Sequence, residues 1–239
     1  MKNLAEKYIL NLLYPPKCIF CHTLLPLSAE VFVCGRCMSD LPFCLAYERC
    51  EICGKPISEP GKCDDCRSMP YRSFNKACAA YIYKDSVRNA LIAFKGESHA
   101  SYAKVFAKHM QSVIENDFKK YKLDAVVSVP PRIDRIKSGK YDQAACLAAE
   151  LSKQLHLPYY KNILMQKEVR KKQSDLNYEE RIENVKDNYS VRLCDKIKGK
   201  VLLLVDDICT TGATLSECSK ELKKAGAAAV YCATAATVA

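Results

Sequence analysis

Beyond residue 71 the apolar positions fall into two periodicities. "KACAAYIY" opens this part with a strand expected over Ala77–Tyr83. Two stretches follow with apolar residues at three- and four-residue spacing, interrupted near Lys95-Gly96-Glu97, and both read as helices. "DAVVSVPP" (Asp124–Pro131) is a short β-branched run stopped by two prolines. "YDQAACLAAELSKQL" (Tyr141–Leu155) has helical spacing, and "KVLLLVDD" (Lys200–Asp207) reads as a strand buried on both faces. "GATLSECSKELKKAG" (Gly212–Gly226) is a helix closed by a glycine, and Ala228–Val238 is a last strand. Strand, helix, strand, helix, strand implies right-handed crossovers and a parallel sheet. Ligands of such sheets bind beyond the carboxyl ends of the strands.

One of those ends is unusual. In "VLLLVDDICTTGAT" five apolar residues stop at Asp206 and Asp207. Adjacent carboxylates repel, and desolvating them is costly without a partner. The residues that follow, Cys209, Thr210, Thr211, Gly212, Ala213 and Thr214, join strand to helix. Helix-start N–H groups, threonine hydroxyls and a glycine that allows close approach make a phosphate cradle. The segment lacks the Gly-Lys-Ser/Thr of a Walker loop and the Gly-x-Gly-x-x-Gly of a dinucleotide site. A ligand with one phosphate for the cradle and two hydroxyls for the acids uses every part, and a ribose 5-phosphate is such a ligand.

The first seventy residues follow another rule. Ten of the chain's fifteen cysteines lie in residues 1–78, and eight of them form four Cys-x-x-Cys pairs. Cys18 and Cys21 precede Cys34 and Cys37 by twelve residues; Cys50 and Cys53 precede Cys63 and Cys66 by nine. Two such turns complete a tetrahedron of thiolates around Zn²⁺. The expectation is two closed structural zinc sites; the alternatives are a redox role for one pair or one empty site. Gly35 and Gly54, each directly after a cysteine, suit knuckle turns. Cys44 and Cys78 fall outside the pattern and read as small buried residues, and His22, though beside Cys21, is expected to face solvent. Too little apolar content accompanies the cysteines for an independent core, so metal supplies folding free energy there.

No apolar run approaches the ~18–20 residues of a membrane helix. The start, "MKNLAEKYILNLLYPPKC", carries charges and reads as an amphipathic segment, not a signal peptide, so a cytoplasmic protein without membrane insertion is expected. The formal charge is +10. Residues 1–75 hold nine Lys/Arg and eight Asp/Glu, whereas residues 76–239 hold 28 and 19. Eight thiolates against two Zn²⁺ remove four charges, leaving about +6, which suits a polyphosphate or nucleic acid. The interleaved Tyr71, Arg72, Phe74, Tyr81, Tyr83 and Lys84 offer a modest stacking platform for single strands.

The strand followed by Asp-Asp-x-x-Thr-Thr-Gly-x-Thr resembles the phosphoribosyl diphosphate (PRPP) fingerprint of type I phosphoribosyltransferases. The resemblance implies catalytic roles for Asp206 and Asp207 on the ribose hydroxyls, and a 5′-phosphate held by Cys209–Thr214. It implies a pyrophosphate loop at Arg132, Arg135, Lys137 and Lys140, and a mobile closing loop around Arg170, Lys171 and Lys172 within Lys167–Val185. Lys95 in "AFKG" is a further phosphate contact to be weighed against a surface lysine. Mg²⁺ is implied with PRPP.

The cysteine pairs, "LIAFKG", "VPP" with "YDQA" after it, Gln173, Leu176, Arg181 and Asn184 together are similar to the ComF family of competence-associated, phosphoribosyltransferase-like proteins. The family usually has Arg-Gly-aromatic-Asn-Gln where this chain has Gly139-Lys140-Tyr141-Asp142-Gln143. The expected fold is α/β: a type I phosphoribosyltransferase-like parallel sheet flanked by helices (71–239), preceded by a small double zinc-ribbon module with four cysteines per site (1–70). The implied activity is phosphoribosyl transfer with pyrophosphate release. The alternative is a non-catalytic competence factor that binds single-stranded DNA or docks proteins of the DNA-uptake machinery, using the PRPP site for sensing. An amidophosphoribosyltransferase is not expected, because residue 2 is Lys2 and no glutaminase domain precedes the ribbons.

Overall fold

Six strands pair among the residues that the computed structural model describes, which are 11–68, 72–94, 99–133, 142–168 and 178–239. They are β1 (Lys76–Ile82), β2 (Ala125–Ser128), β3 (Leu164–Gln166), β4 (Tyr189–Val191), β5 (Val201–Cys209) and β6 (Ala229–Thr237). β1, β6, β5 and β2 form one parallel sheet in that order, so the last strand lies inside it. β3 and β4 form a separate antiparallel pair. The helices are α1 (Gly35–Asp40), α2 (Asp64–Ser68), α3 (Asp85–Ala93), α4 (His99–Phe118), α5 (Gln143–Gln154), α6 (Tyr178–Val185) and α7 (Ala213–Lys224). The expected strands and helices are all present, with ends shifted by one to three residues. β3, β4 and α6 were not anticipated.

The continuous apolar run of β5 is explained by its place in the sheet. Leu202, Leu203, Leu204 and Val205 are fully buried, each worth roughly 1.5–3 kcal/mol. Leu203 and Val205 share a core with Phe106 and Met110 of α4 and Leu147 and Leu151 of α5. Leu202 and Leu204 pack on the other face with Leu215, Cys218 and Leu222 of α7. Beyond the acids this alternation shifts by one. Ile208 joins the first cluster and Cys209 the second.

The cysteine segment is continuous with both cores. Cys18, Ile19 and Phe20 belong to the cluster on the α4 face, and Phe20 meets Tyr81 and Phe106 edge-on at 6.1 Å each. Cys50, Cys53, Cys63 and Cys66 belong to the cluster on the α7 face. Together these segments cover β1, an edge strand whose backbone would otherwise template further pairing. Ile82 N–H donates to the Pro42 carbonyl, Ala77 N–H donates to the Ile52 carbonyl, and Phe43 stacks on Tyr81 at 5.0 Å. Arg49 adds a bidentate ion pair to buried Asp117 of α4, at 2.6 and 2.8 Å. At the opposite edge Tyr159 and its neighbours cover β2 through Val126. Among the described residues no helix is long and apolar enough to cross a membrane.

Candidate phosphoribosyl site and two four-cysteine clusters

β5 carries Asp206 and Asp207 to the carboxyl edge of the sheet, where both are half-buried. Each carboxylate accepts the N–H one residue on: Asp207 N–H donates to Asp206 Oδ1 and Ile208 N–H to Asp207 Oδ1, both at 2.8 Å. Among the described residues neither acid joins an ion pair. Burial pushes the Asp206 carboxyl well above the usual range, and the charges of Asp207 and, more weakly, Asp142 push the same way. An acid so placed is relieved by hydroxyl donors or a cation.

The chain then turns through Thr210 and buried Thr211 to Gly212, whose φ of +74° is left-handed. Gly212 stands at the N-cap of α7 without a side chain to cap it, and the first-turn N–H of Ala213 reaches Thr211 Oγ1 at 3.3 Å. Cys209, Gly212 and Ala213 are buried, while Thr210 and Thr214 are half-buried. These are the elements of the expected cradle, brought to one helix start beside the acid pair.

Several neighbours were not read from the sequence. Buried Tyr189 of β4 hydrogen-bonds Thr214, and burial drives its phenol far above the usual range. The field of Asp206 reinforces that shift, while the Thr214 bond and the Arg132 charge oppose it. Tyr189 therefore ties the acid, the cradle and the half-buried Arg132 into one neighbourhood. Gln166 of β3 accepts the Ile133 N–H at 3.1 Å, which holds the start of the loop after β2. A three-residue strand in a polar segment gives no periodicity to detect. Asp142, which departs from the usual pattern, caps α5 by accepting the Ala145 N–H at 3.0 Å. Of the other expected phosphate contacts, Lys95, Arg135, Lys137, Lys140, Arg170, Lys171 and Lys172 lie outside the described residues, as do Tyr71, Gln173 and Leu176.

The eight cysteines form two clusters with the expected membership, Cys18, Cys21, Cys34 and Cys37, and Cys50, Cys53, Cys63 and Cys66. Within each, the four sulfurs lie within 4.8 Å of one another. Sulfurs 3.6 Å apart (Cys21 and Cys34) and 3.5 Å apart (Cys53 and Cys63) are close to the roughly 3.8 Å edge of a tetrahedron with ~2.3 Å zinc–sulfur bonds. The residues fit structural Zn²⁺. His22 is exposed and outside the first cluster, and Cys44 and Cys78 are buried apart from both, as expected. The two knuckle glycines differ. Gly54 has φ +71°, and a Cβ there would stand 2.7 Å from the Ala77 carbonyl oxygen, whereas Gly35 merely starts α1 with open space around it. The expectation of a glycine-dependent turn holds at Gly54 only.

The fold and these sites define a class: a double zinc ribbon joined to a phosphoribosyltransferase-type α/β domain. The family model for a double zinc ribbon domain matches residues 9–67, and that for a phosphoribosyl transferase domain matches residues 142–239. Over most of its length the chain is similar to competence proteins of the ComF type. It is 27% identical over 208 residues to competence protein ComFC of Bacillus subtilis (strain 168), covering 85% of this chain and 82% of that protein. It is 25% identical over 215 residues to competence protein F of Haemophilus influenzae (strain ATCC 51907 / DSM 11121 / KW20 / Rd), covering 88% and 92%. Among solved structures, the glutamine PRPP amidotransferase of B. subtilis, complexed with ADP and GMP, overlays with a TM-score of 0.40 at 20% identity. The overlay covers 59% of this chain and 27% of the enzyme.

Proposed function

We propose that the chain binds PRPP at the carboxyl edge of β5 and transfers its phosphoribosyl group to an acceptor with release of pyrophosphate. The observation that carries this reading is the acid pair directly before an uncapped helix start. Asp206 and Asp207 take the ribose hydroxyls, and the backbone of Cys209–Thr214 takes the 5′-phosphate. The displacement at C1 forms a bond to the acceptor as the C1–oxygen bond to pyrophosphate breaks, through an oxocarbenium-like state. The protein contributes position and charge. Arg132, with Arg135, Lys137 and Lys140, offsets the charge of the leaving group, and the acids favour the positive charge growing on the ribose. Arg170, Lys171 and Lys172 are assigned to bound PRPP by the resemblance of their segment to the closing loop of phosphoribosyltransferases. Lys95 is a further phosphate contact. Mg²⁺ bound with PRPP would neutralise pyrophosphate and orient the ribose, and the half-buried acids, which have no ion-pair partner among the described residues, suit it.

In this reading the ribbons (residues 1–70) form a module with two structural Zn²⁺ beside a transferase domain (71–239), in a cytoplasmic protein. The names of the relatives support a role in competence, with proteins of DNA uptake as partners. Calorimetric titration of PRPP with Mg²⁺, followed by pyrophosphate-release assays over nucleobases and ammonia, tests the activity. Binding without release with any acceptor would leave a ligand-sensing factor.

The charge split favours a second role, in binding single-stranded DNA through residues 76–239. Affinity should fall linearly in log–log terms with salt, with a slope set by the phosphates neutralised. The ribbons alone binding as tightly as the full chain would contradict it.

A further inference from the structure

Arg72 lies between the second cysteine cluster and the phosphate cradle. Its Nη2 donates to the Asp65 carbonyl of α2 at 3.3 Å. Its Nη1 is 3.1 Å from where a Cβ on Gly212 would stand, with Cys209 Sγ 3.8 Å from the same point. The next residue, Ser73, donates its N–H to Ser216 Oγ in the first turn of α7 at 3.0 Å. Arg72 Nε and Nη1 are sealed from solvent and have no acceptor among the described residues.

Two facts about this placement need a common explanation. Buried cationic donors without acceptors are costly. The start of α7 carries the positive end of a twelve-residue helix dipole and no side-chain cap. A guanidinium pressed against that helix start sets two positive groups together, and an anion between or beside them resolves both problems. Burial lifts the Cys209 thiol to about 11; the charges of Arg72 and Lys55 oppose that shift, and those of Asp206 and Asp65 add to it.

We propose that Arg72 is a phosphate-binding residue of the cradle: a shift of its guanidinium out of the packed position brings its two unpartnered donors to the ligand's phosphomonoester, while Nη2 stays anchored on the second ribbon. The proposal rests on the phosphoribosyl reading of the site and adds to it a cation from the ribbon side. It also couples the cradle to the second cysteine cluster through Asp65.

The test compares ribose 5-phosphate with inorganic pyrophosphate as probes, by calorimetry on the full chain, for wild type, Arg72→Ala and Arg72→Lys. Arg72→Ala should weaken ribose 5-phosphate roughly tenfold to a hundredfold and leave pyrophosphate within about twofold, because pyrophosphate belongs to the Arg132 loop. Arg72→Lys should recover part of the loss. The wild-type Arg72 Nε resonance should shift, and its proton exchange slow, on adding ribose 5-phosphate but not pyrophosphate. That readout decides the matter if Arg72→Ala does not fold. Unchanged ribose 5-phosphate affinity in a folded Arg72→Ala, or an unmoved Nε resonance in ligand-bound wild type, makes Arg72 a brace and overturns this proposal alone. Wild type that binds neither PRPP nor ribose 5-phosphate overturns the phosphoribosyl reading and this proposal with it.

Discussion

The two cysteine clusters share four ligands each and near-identical geometry, yet they sit in different environments. In the first, Cys18 is buried, Cys34 and Cys37 are half-buried and Cys21 is exposed. In the second all four cysteines are buried and share a core with Phe74, Ala77, Cys209 and Ala213. The first ribbon packs on α4 and β1 through Phe20 and Phe43. The second is joined to the β1 backbone at Ile52 and Ala77 and to the cradle through Arg72. Cluster geometry alone therefore does not fix what a metal does for the rest of the chain. The first metal should stabilise its own ribbon, and the second should also support the ligand site.

The largest expected contrast is between ligand deletions. Cys53→Ser should destabilise the chain by more than about 4 kcal/mol, since it removes a ligand inside a shared core. Cys21→Ser, at an exposed ligand, should cost no more than about 2 kcal/mol. Denaturant unfolding with zinc analysis by mass spectrometry checks both. Equal losses would mean that burial does not distinguish the sites.

The knuckle glycines give a smaller contrast. Gly54→Ala combines a left-handed φ with backbone contacts at 2.7 and 2.9 Å and should cost about 2–4 kcal/mol. Gly35→Ala, with nothing within 4 Å and an ordinary helix-start position, should be neutral or stabilise by about 0.5 kcal/mol. Melting temperatures of the two variants decide this, and a destabilising Gly35→Ala would show a constraint on the first knuckle that the structure does not display.

Less was legible about these surroundings than about the clusters themselves. The spacing of the Cys-x-x-Cys pairs marked all eight cysteines as metal ligands, because ligand turns are local. The apolar run Leu202–Val205 and the acids after it were equally plain, since a strand buried on both faces has no polar positions to confuse. The place of β6 between β1 and β5 was not readable, because pairing is non-local. Tyr189 looked like any aromatic beside a polar segment, and α6 was hidden in a stretch rich in charge. Arg72 read only as part of a stacking platform; its contact with Gly212 depends on how the second ribbon docks, which no local pattern encodes.

The smallest effect concerns pH. The raised Asp206 carboxyl holds its proton in the folded state over a range where the unfolded chain has lost it. Folded protein then binds more protons than unfolded, and stability falls as pH rises from about 4 through the raised value. Asp206→Asn removes that dependence. Its melting temperature should match wild type in acid and exceed it increasingly toward neutral pH. A constant difference across pH would mean that Asp206 ionises normally.

The central claim is that the acids exist for a ligand and not for the strand. Calorimetric titration of PRPP with Mg²⁺ into wild type and Asp206→Asn/Asp207→Ala tests it most directly, with a melting curve for each. Hydrogen bonds to charged groups are worth about 1.5–3 kcal/mol each, so losing two predicts roughly a hundredfold weaker binding or more. The buried run Leu202–Val205 should keep the variant folded, with a melting temperature no lower than wild type. A folded variant that binds PRPP as tightly as wild type would contradict the account, as would a wild type that does not bind it.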